Sequence, residues 1–282
     1  MEENSLDIIE RIQTSYYDLT ATEQRVADYV MSEFVRVQFM SITQLAEECG
    51  TGEATISRFC RSLKLKGFNA FKLEIARYCA SRNKHESEDV PDTPIGHSVE
   101  VARRSADAVY QTIALLDPES VKRAVSLIES AVHAVCIGSG ASLVMAEECR
   151  QVFSTVTQKF QVVRDSHSQL SAASIMGKDD LLILFSYSGA TTAGIRVLEK
   201  AKENGVPSIL VTRFNKSPAS ALADVVLCCG SNESPFQSGS GTAKIAQLVV
   251  IDVVFQEYYR RNKEKCDDAI RAIAAAMSEL HL

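Results

Sequence analysis

The apolar positions change their period part-way along the chain. Between residues 6 and 63 they recur every three or four residues: Leu6, Ile9 and Ile12; Val26, Ala27, Val30 and Phe34; Ile42, Leu45 and Ala46; Ile56, Phe59, Cys60 and Leu63. This spacing predicts short amphipathic helices. Thr20 with Glu23, and Ser41 with Gln44, have the spacing of capping boxes. Gly50 should end the helix that Ser41 opens, and Thr51 is placed to cap the next one.

Beyond residue 130 the apolar residues come in short clusters, Ala134–Ile137, Phe160–Val163 with Gln161 inside it, Leu181–Phe185, Ser208–Val211 with Ser208 at its start, and Val225–Leu227. Runs this short suit strands covered on both faces. Helical spacing returns between them, as in Ile195, Val197, Leu198 and Ala201 before Gly205. Two more helices are predicted ahead of the first strand, His97–Leu116 and Pro118–Ser130, with Pro118 suited to a first helical turn. Strands alternating with helices predict a parallel sheet with helices on both faces. The polar stretch 81–96, with Pro91 and Pro94, reads as a linker. The expected organisation is an all-α domain over 1–80, the linker 81–96, and a three-layer α/β domain over 97–282.

One run leads directly into chemistry. Leu181–Phe185 is followed by Ser186, Tyr187, Ser188, Gly189, Ala190 and Thr191, just where a helix should begin. A strand feeding a hydroxyl- and glycine-rich loop and then a helix aims backbone N–H groups and the positive helix end at one point, which suits a phosphate. Helix capping alone would also account for a serine there. The run Ala134–Ile137 leads into Gly138, Ser139, Gly140, Ala141 and Ser142; Leu143 stands where a dinucleotide fingerprint needs glycine. In parallel sheets the loops after strands one and three converge where strand order reverses, so Ser139 and Ser142 should share a pocket with Ser186, Ser188 and Thr191.

The chain has 282 residues, 46% hydrophobic and 23% charged, with a net charge of −6. That charge is unevenly spread: residues 1–53 sum to −8 and residues 54–84 to +7. A basic segment in an acidic protein is a footprint for a polyanion. It coincides with two short helices joined by a glycine-containing turn, the pattern of a helix-turn-helix. The second helix should present Glu53, Thr55, Ser57, Arg58 and Arg61 outward, with Thr51, Lys66 and Lys72 nearby for phosphate contacts. Packing alone could also explain such a hairpin. The eight cysteines include no C-x-x-C and read as reduced core residues, with no metal site. No apolar run spans a membrane and the first residues lack a signal peptide's pattern, so a cytoplasmic location is expected.

Two resemblances follow from these residues. SYSGATT resembles the S-x-S-G-x-T signature of sugar isomerase (SIS) domains. The likeness runs over about residues 97–260 through GSGAS, Asp165 and His167, Pro218, Asp224 and Ala246–Asp252. It implies a flavodoxin-like fold and a phosphosugar site formed by Ser139, Ser142, Ser186, Tyr187, Ser188, Gly189 and Thr191, with Asp165, His167 and Lys244 around it. Ala243 and Lys244 stand where that family's regulators often have Ser-Arg, which keeps the charge and loses the guanidinium fork. The stretch from Ser41 to Lys72 resembles the DNA-binding domain of RpiR-family bacterial regulators, with Thr51 and Gly52 in place of the usual Val and Ser.

The pair of domains implies a transcriptional regulator of sugar metabolism genes, a repressor rather than an activator, without a cofactor. It would be a homodimer or homotetramer on palindromic operator DNA, assembled through helices around 97–116 and 244–260. Two alternatives stay open. SIS domains also occur in phosphosugar isomerases, for which Glu147, Glu148, Asp165, His167 and Glu233 are the acid–base candidates; and an SIS domain that has lost its ligand would serve only for assembly.

Overall fold

The computed structural model describes residues 7–82, 93–230 and 241–278. They divide between Arg104 and Ser105 into two compact units. The first begins with helices α1 (Ile8–Ser15), α2 (Ala21–Val37), α3 (Ile42–Glu48), α4 (Glu53–Ser62) and α5 (Phe68–Arg82). Both expected capping boxes form, at Thr20 with Glu23 and at Ser41 with Gln44. An apolar core of Ile12, Val26, Val30, Leu45, Ile56, Phe59, Phe71 and Ile75 joins the five helices. Phe59 meets Phe71 edge-on, ring centroids 5.6 Å apart, so α5 holds α4 from beneath.

The remaining elements are α6 (Pro94–Leu115), α7 (Pro118–Ser130), β1 (Ala134–Gly138), α8 (Ala141–Phe153), β2 (Phe160–Val163), α9 (Ser166–Ile175), β3 (Leu181–Phe185), α10 (Thr192–Glu203), β4 (Ser208–Thr212), β5 (Val225–Cys228), α11 (Gly241–Arg261) and α12 (Lys263–Ser278). Residues 83–92 of the expected linker lie outside the described residues, and its two ends are helical: Ser81 and Arg82 close α5, and Pro94 opens α6 three residues ahead of the expected start. All five predicted strands form, each within one residue of the expected bounds.

They make one parallel sheet in the order β2-β1-β3-β4-β5. Side chains alternate along each strand, so one run serves two cores. Leu181, Ile183 and Phe185 of β3 pack with α7, α8 and α11, while Leu182 and Leu184 pack with α9 and α10. This is why β3 is an unbroken apolar run. The eight cysteines are free thiols, seven of them buried. No described helix is long and apolar enough to cross a membrane.

Glu23 links two helices of the first unit. It is 5% exposed and accepts hydrogen bonds from the Thr20 hydroxyl (2.6 Å) and backbone N–H (3.0 Å) at the start of α2, and from the Ser62 hydroxyl (3.2 Å) at the end of α4. Burial alone would raise its pKa, but the bonds from Thr20 and Ser62 outweigh it and hold the carboxyl below its usual range. Glu23→Ala should cost about 1–2 kcal/mol, the value of a lost cap, read by urea unfolding. Because the folded pKa is lowered, the tie acts fully above the unfolded value of about 4.3 and is lost as pH falls through the folded one. The stability difference between wild type and Glu23→Ala should therefore shrink on acidification.

Candidate functional site

Strand order reverses between β1 and β3, which are hydrogen-bonded neighbours with Gly138 paired to Phe185. Ser139 and Ser186 each follow those paired residues, so the two loops leave the sheet about 5 Å apart. Each loop runs into a helix N-terminus. Those of α8 and α10, at Gly140 and Thr191, have no side-chain cap and no acidic residue in the first turn. By contrast α7 is capped by Asp117 and α9 by Asp165. Two uncapped positive helix ends after neighbouring strands have the chemistry to attract an anion.

The β3 loop is tightly fixed. Gly189 has φ +60°, and a Cβ there would lie 2.2 Å from the Ser217 hydroxyl and 3.2 Å from that of Thr212. Only glycine fits both the backbone and the space. The Thr212 hydroxyl and the Arg213 N–H donate to the Tyr187 carbonyl (3.1 and 3.0 Å), and the Ala219 N–H donates to the Gly189 carbonyl (2.9 Å). Ser188 Oγ accepts from the Ala190 N–H at 3.3 Å. Ser186 is 4% exposed and its Oγ has no hydrogen-bond partner. A buried hydroxyl left unpaired costs stability unless something bonds to it.

The β1 loop is as constrained. A Cβ on Gly138 would lie 2.6 Å from the Ser142 carbonyl oxygen, so the first turn of α8 sits directly against the strand end. Gln169, 2% exposed, donates to the carbonyls of Gly138 (2.8 Å) and Val163 (3.0 Å), joining the ends of β1 and β2.

In the first unit the second helix of the α3–α4 pair shares only part of this property, because Glu53 lies in its first turn and accepts from the Thr43 hydroxyl. Gly52 is the N-cap of α4 and gives it no side-chain cap. Arg58 and Arg61 are exposed on α4 and Ser57 is half-buried, with Lys66 exposed just beyond its end. Arg11 donates to the Leu63 carbonyl at 2.8 Å, closing the helix at its negative end.

Known proteins share both arrangements. Residues 6–82 match the helix-turn-helix domain of the rpiR family, and residues 127–256 match the SIS domain. An HTH-type transcriptional regulator of Caldanaerobacter subterraneus is 32% identical over 88% of this chain and 89% of its own length. The chain belongs to the rpiR family. Another HTH-type regulator, YbbH of Bacillus subtilis, is 30% identical over 96% of this chain and 97% of its own. The solved structure of Vibrio vulnificus NanR complexed with ManNAc-6P superposes with a TM-score of 0.85 at 26% identity, covering 97% of this chain and 99% of that one.

Within this rpiR-family regulator several expected contact residues have other duties. Thr55 faces the core at 8% exposure, and its hydroxyl accepts from Arg58 at 2.9 Å. Its place beside Ile56, one position off the polar arc, turns it inward. Thr51 does not cap α4; Gly52 does, and Thr51 Oγ is buried without a partner. Lys72 donates to the Met40 carbonyl at 2.9 Å and lies over the Phe68 ring, which commits it to the fold.

In the SIS domain, Asp165 caps α9. It accepts from the Ser168 N–H at 2.9 Å, and the hydrogen bonds from Ser168 hold its carboxyl below the usual range. His167 is exposed on the first turn of α9, and Lys244 is half-buried on the first turn of α11. Neither side chain makes a described hydrogen bond to the two loops. Sequence reasoning missed Gln169, which carries no motif of its own; Gly138, Thr212 and Ser217 belong to stretches that resemble the SIS family but had no assigned role. Gly189→Ala should destabilise the domain by about 1–3 kcal/mol through overpacking and strain, lowering its Tm by several degrees in calorimetry.

Proposed function

We propose that the SIS domain binds a phosphosugar whose phosphate lies against the N-termini of α8 and α10, and that this binding controls the grip of α4 on operator DNA. The observation that carries the reading is the pair of uncapped helix ends at the β1–β3 junction, with the unpartnered Ser186 hydroxyl beside them. Ser139, Ser142, Ser188 and Thr191 supply further hydroxyls, and Tyr187 and Gly189 shape the loop. Asp165 and His167 flank it at the end of β2, and Lys244 is the cation on α11. NanR, whose structure holds ManNAc-6P, supports the ligand class.

Arg58 and Arg61 read base edges in the major groove, while Ser57 and Lys66 meet phosphates. A homodimer or homotetramer would set two such helices on half-sites about 34–36 Å apart, hence a palindromic operator. The protein works in the cytoplasm as a repressor of sugar metabolism genes. A coupling of about 1–3 kcal/mol between sugar and DNA sites changes operator affinity roughly 5- to 150-fold. Two of the acid–base candidates of an isomerase have other employment: Glu147 pairs with Arg164 at 2.7 Å and Asp165 is a helix cap. Glu233 lies outside the described residues. We therefore assign binding without turnover.

Arg58→Ala and Arg61→Ala should each weaken operator binding by about 1–3 kcal/mol and leave sugar binding unchanged; unchanged DNA binding in both removes the recognition-helix assignment. Ser188→Ala with Thr191→Ala should weaken phosphosugar binding about 100-fold or more, at about 1.5 kcal/mol or more for each lost bond to a charged group, with DNA binding kept. A thermal-shift screen of phosphosugars, ManNAc-6P included, against their unphosphorylated parents tests the ligand class. Stabilisation by the parents alone, or turnover of any hit, defeats it.

A further inference from the structure

Three of the described helices end in the same way. In each, the residue one past the C-cap donates to the carbonyl three before it, and the next residue donates to the carbonyl five before it. For α3 these bonds run from Gly50 to Glu47 (2.9 Å) and from Thr51 to Ala46 (2.8 Å). For α10 they run from Gly205 to Lys202 (3.1 Å) and from Val206 to Ala201 (2.9 Å), and for α4 from Lys64 to Arg61 (2.8 Å) and from Leu65 to Cys60 (2.9 Å). This closure puts its first residue in the left-handed region, where glycine alone meets no steric cost. Gly50 (φ +58°) and Gly205 (φ +68°) meet that demand. The third closure uses Lys64, with φ +59°, the one non-glycine of positive φ among the described residues.

The fold gives no reason for a lysine there. Its side chain is exposed and, among the described residues, makes no ion pair. A cation after a helix can serve the negative helix end, but Arg11 already does so, donating to the Leu63 carbonyl at 2.8 Å. Leu65 packs against the core that holds Cys60, so the turn is anchored without the Lys64 side chain. What Lys64 has is position. Helix α4 has 10 residues, about 15 Å, against a major groove about 12 Å wide. Laid in the groove, a helix longer than the groove is wide brings the residues just past its end to the wall of phosphates. Lys64 stands there, on the turn that follows Arg58 and Arg61 and next but one to the exposed Lys66.

We propose that Lys64 is a phosphate-contacting residue of the DNA interface, kept in a glycine's backbone position because its ammonium meets the sugar-phosphate backbone that borders the groove. Local strain of this kind persists where the side chain has a use that the fold does not supply. The contact is with charge, so it fixes where α4 sits and carries no base preference. The inference rests on the reading of α4 as the recognition helix and adds to it a contact that the basic footprint by itself does not single out.

The test uses the full-length protein and a short labelled duplex of arbitrary sequence, with affinity measured by fluorescence anisotropy over a range of salt concentrations. Glycine and asparagine both accept the left-handed backbone, so Lys64→Gly and Lys64→Asn should unfold at the wild-type temperature or above. Both should lower the slope of log K against log salt by about 0.9 for every bound copy, whereas Lys64→Arg should keep the wild-type slope. A wild-type slope in Lys64→Gly and Lys64→Asn overturns the proposal and leaves the recognition-helix reading to the Arg58→Ala and Arg61→Ala variants. A lower unfolding temperature with an unchanged slope overturns it too, and assigns Lys64 to the helix end. A wild type that does not bind the duplex at all removes both readings.

Discussion

The parallel pairing of β1 with β3 is the constraint on which the second domain's site depends. It places two consecutive-looking but sequence-distant strand ends next to each other, with Gly138 opposite Phe185. Each strand then feeds a helix on a different face of the sheet, α8 on one and α10 on the other. The two helix N-termini therefore meet across the sheet edge, and their partial positive charges add at one place. Neither α8 nor α10 spends a side chain on capping itself. The glycines that permit this have steric reasons, with Gly138 against the Ser142 carbonyl and Gly189 against Ser217.

The same economy appears in the helix-turn-helix domain. Helices α1, α2 and α3 are closed by capping boxes, whereas α4 begins at Gly52 with no side-chain cap and carries Glu53 in its first turn. The starts of α1, α2, α3, α7 and α9 are capped by side chains of their own chain, and those of α4, α8 and α10 are not. Unsatisfied N–H groups at a helix start are tolerated in water, but they are also ready donors.

Several polar residues show how a fold recruits side chains that look functional. Lys72 reads as part of a basic footprint, yet its ammonium satisfies the Met40 carbonyl. Thr55 reads as an outward hydroxyl, yet it is buried and steadies Arg58 from below. In each case a nearby backbone or side-chain group with an unmet hydrogen bond decided the matter.

The sequence by itself determined the elements and their order. Apolar period, capping boxes and short apolar clusters depend on neighbours a few residues apart, and these set all five strands and the α2 and α3 starts. It also made the β1 and β3 loops recognisable, because hydroxyls and glycine after a buried strand form a local signal. Only the tertiary structure decided which side chains are spoken for. Gln169 spans from α9 to the Gly138 carbonyl, Thr212 reaches from β4 to Tyr187, and Ser217 fills the space that Gly189 leaves. Those contacts join residues about 25 to 31 positions apart in sequence, a separation at which no periodicity can report a partner. Hydrogen bonds form between groups that the completed packing brings together, and the chain order carries no record of that distance.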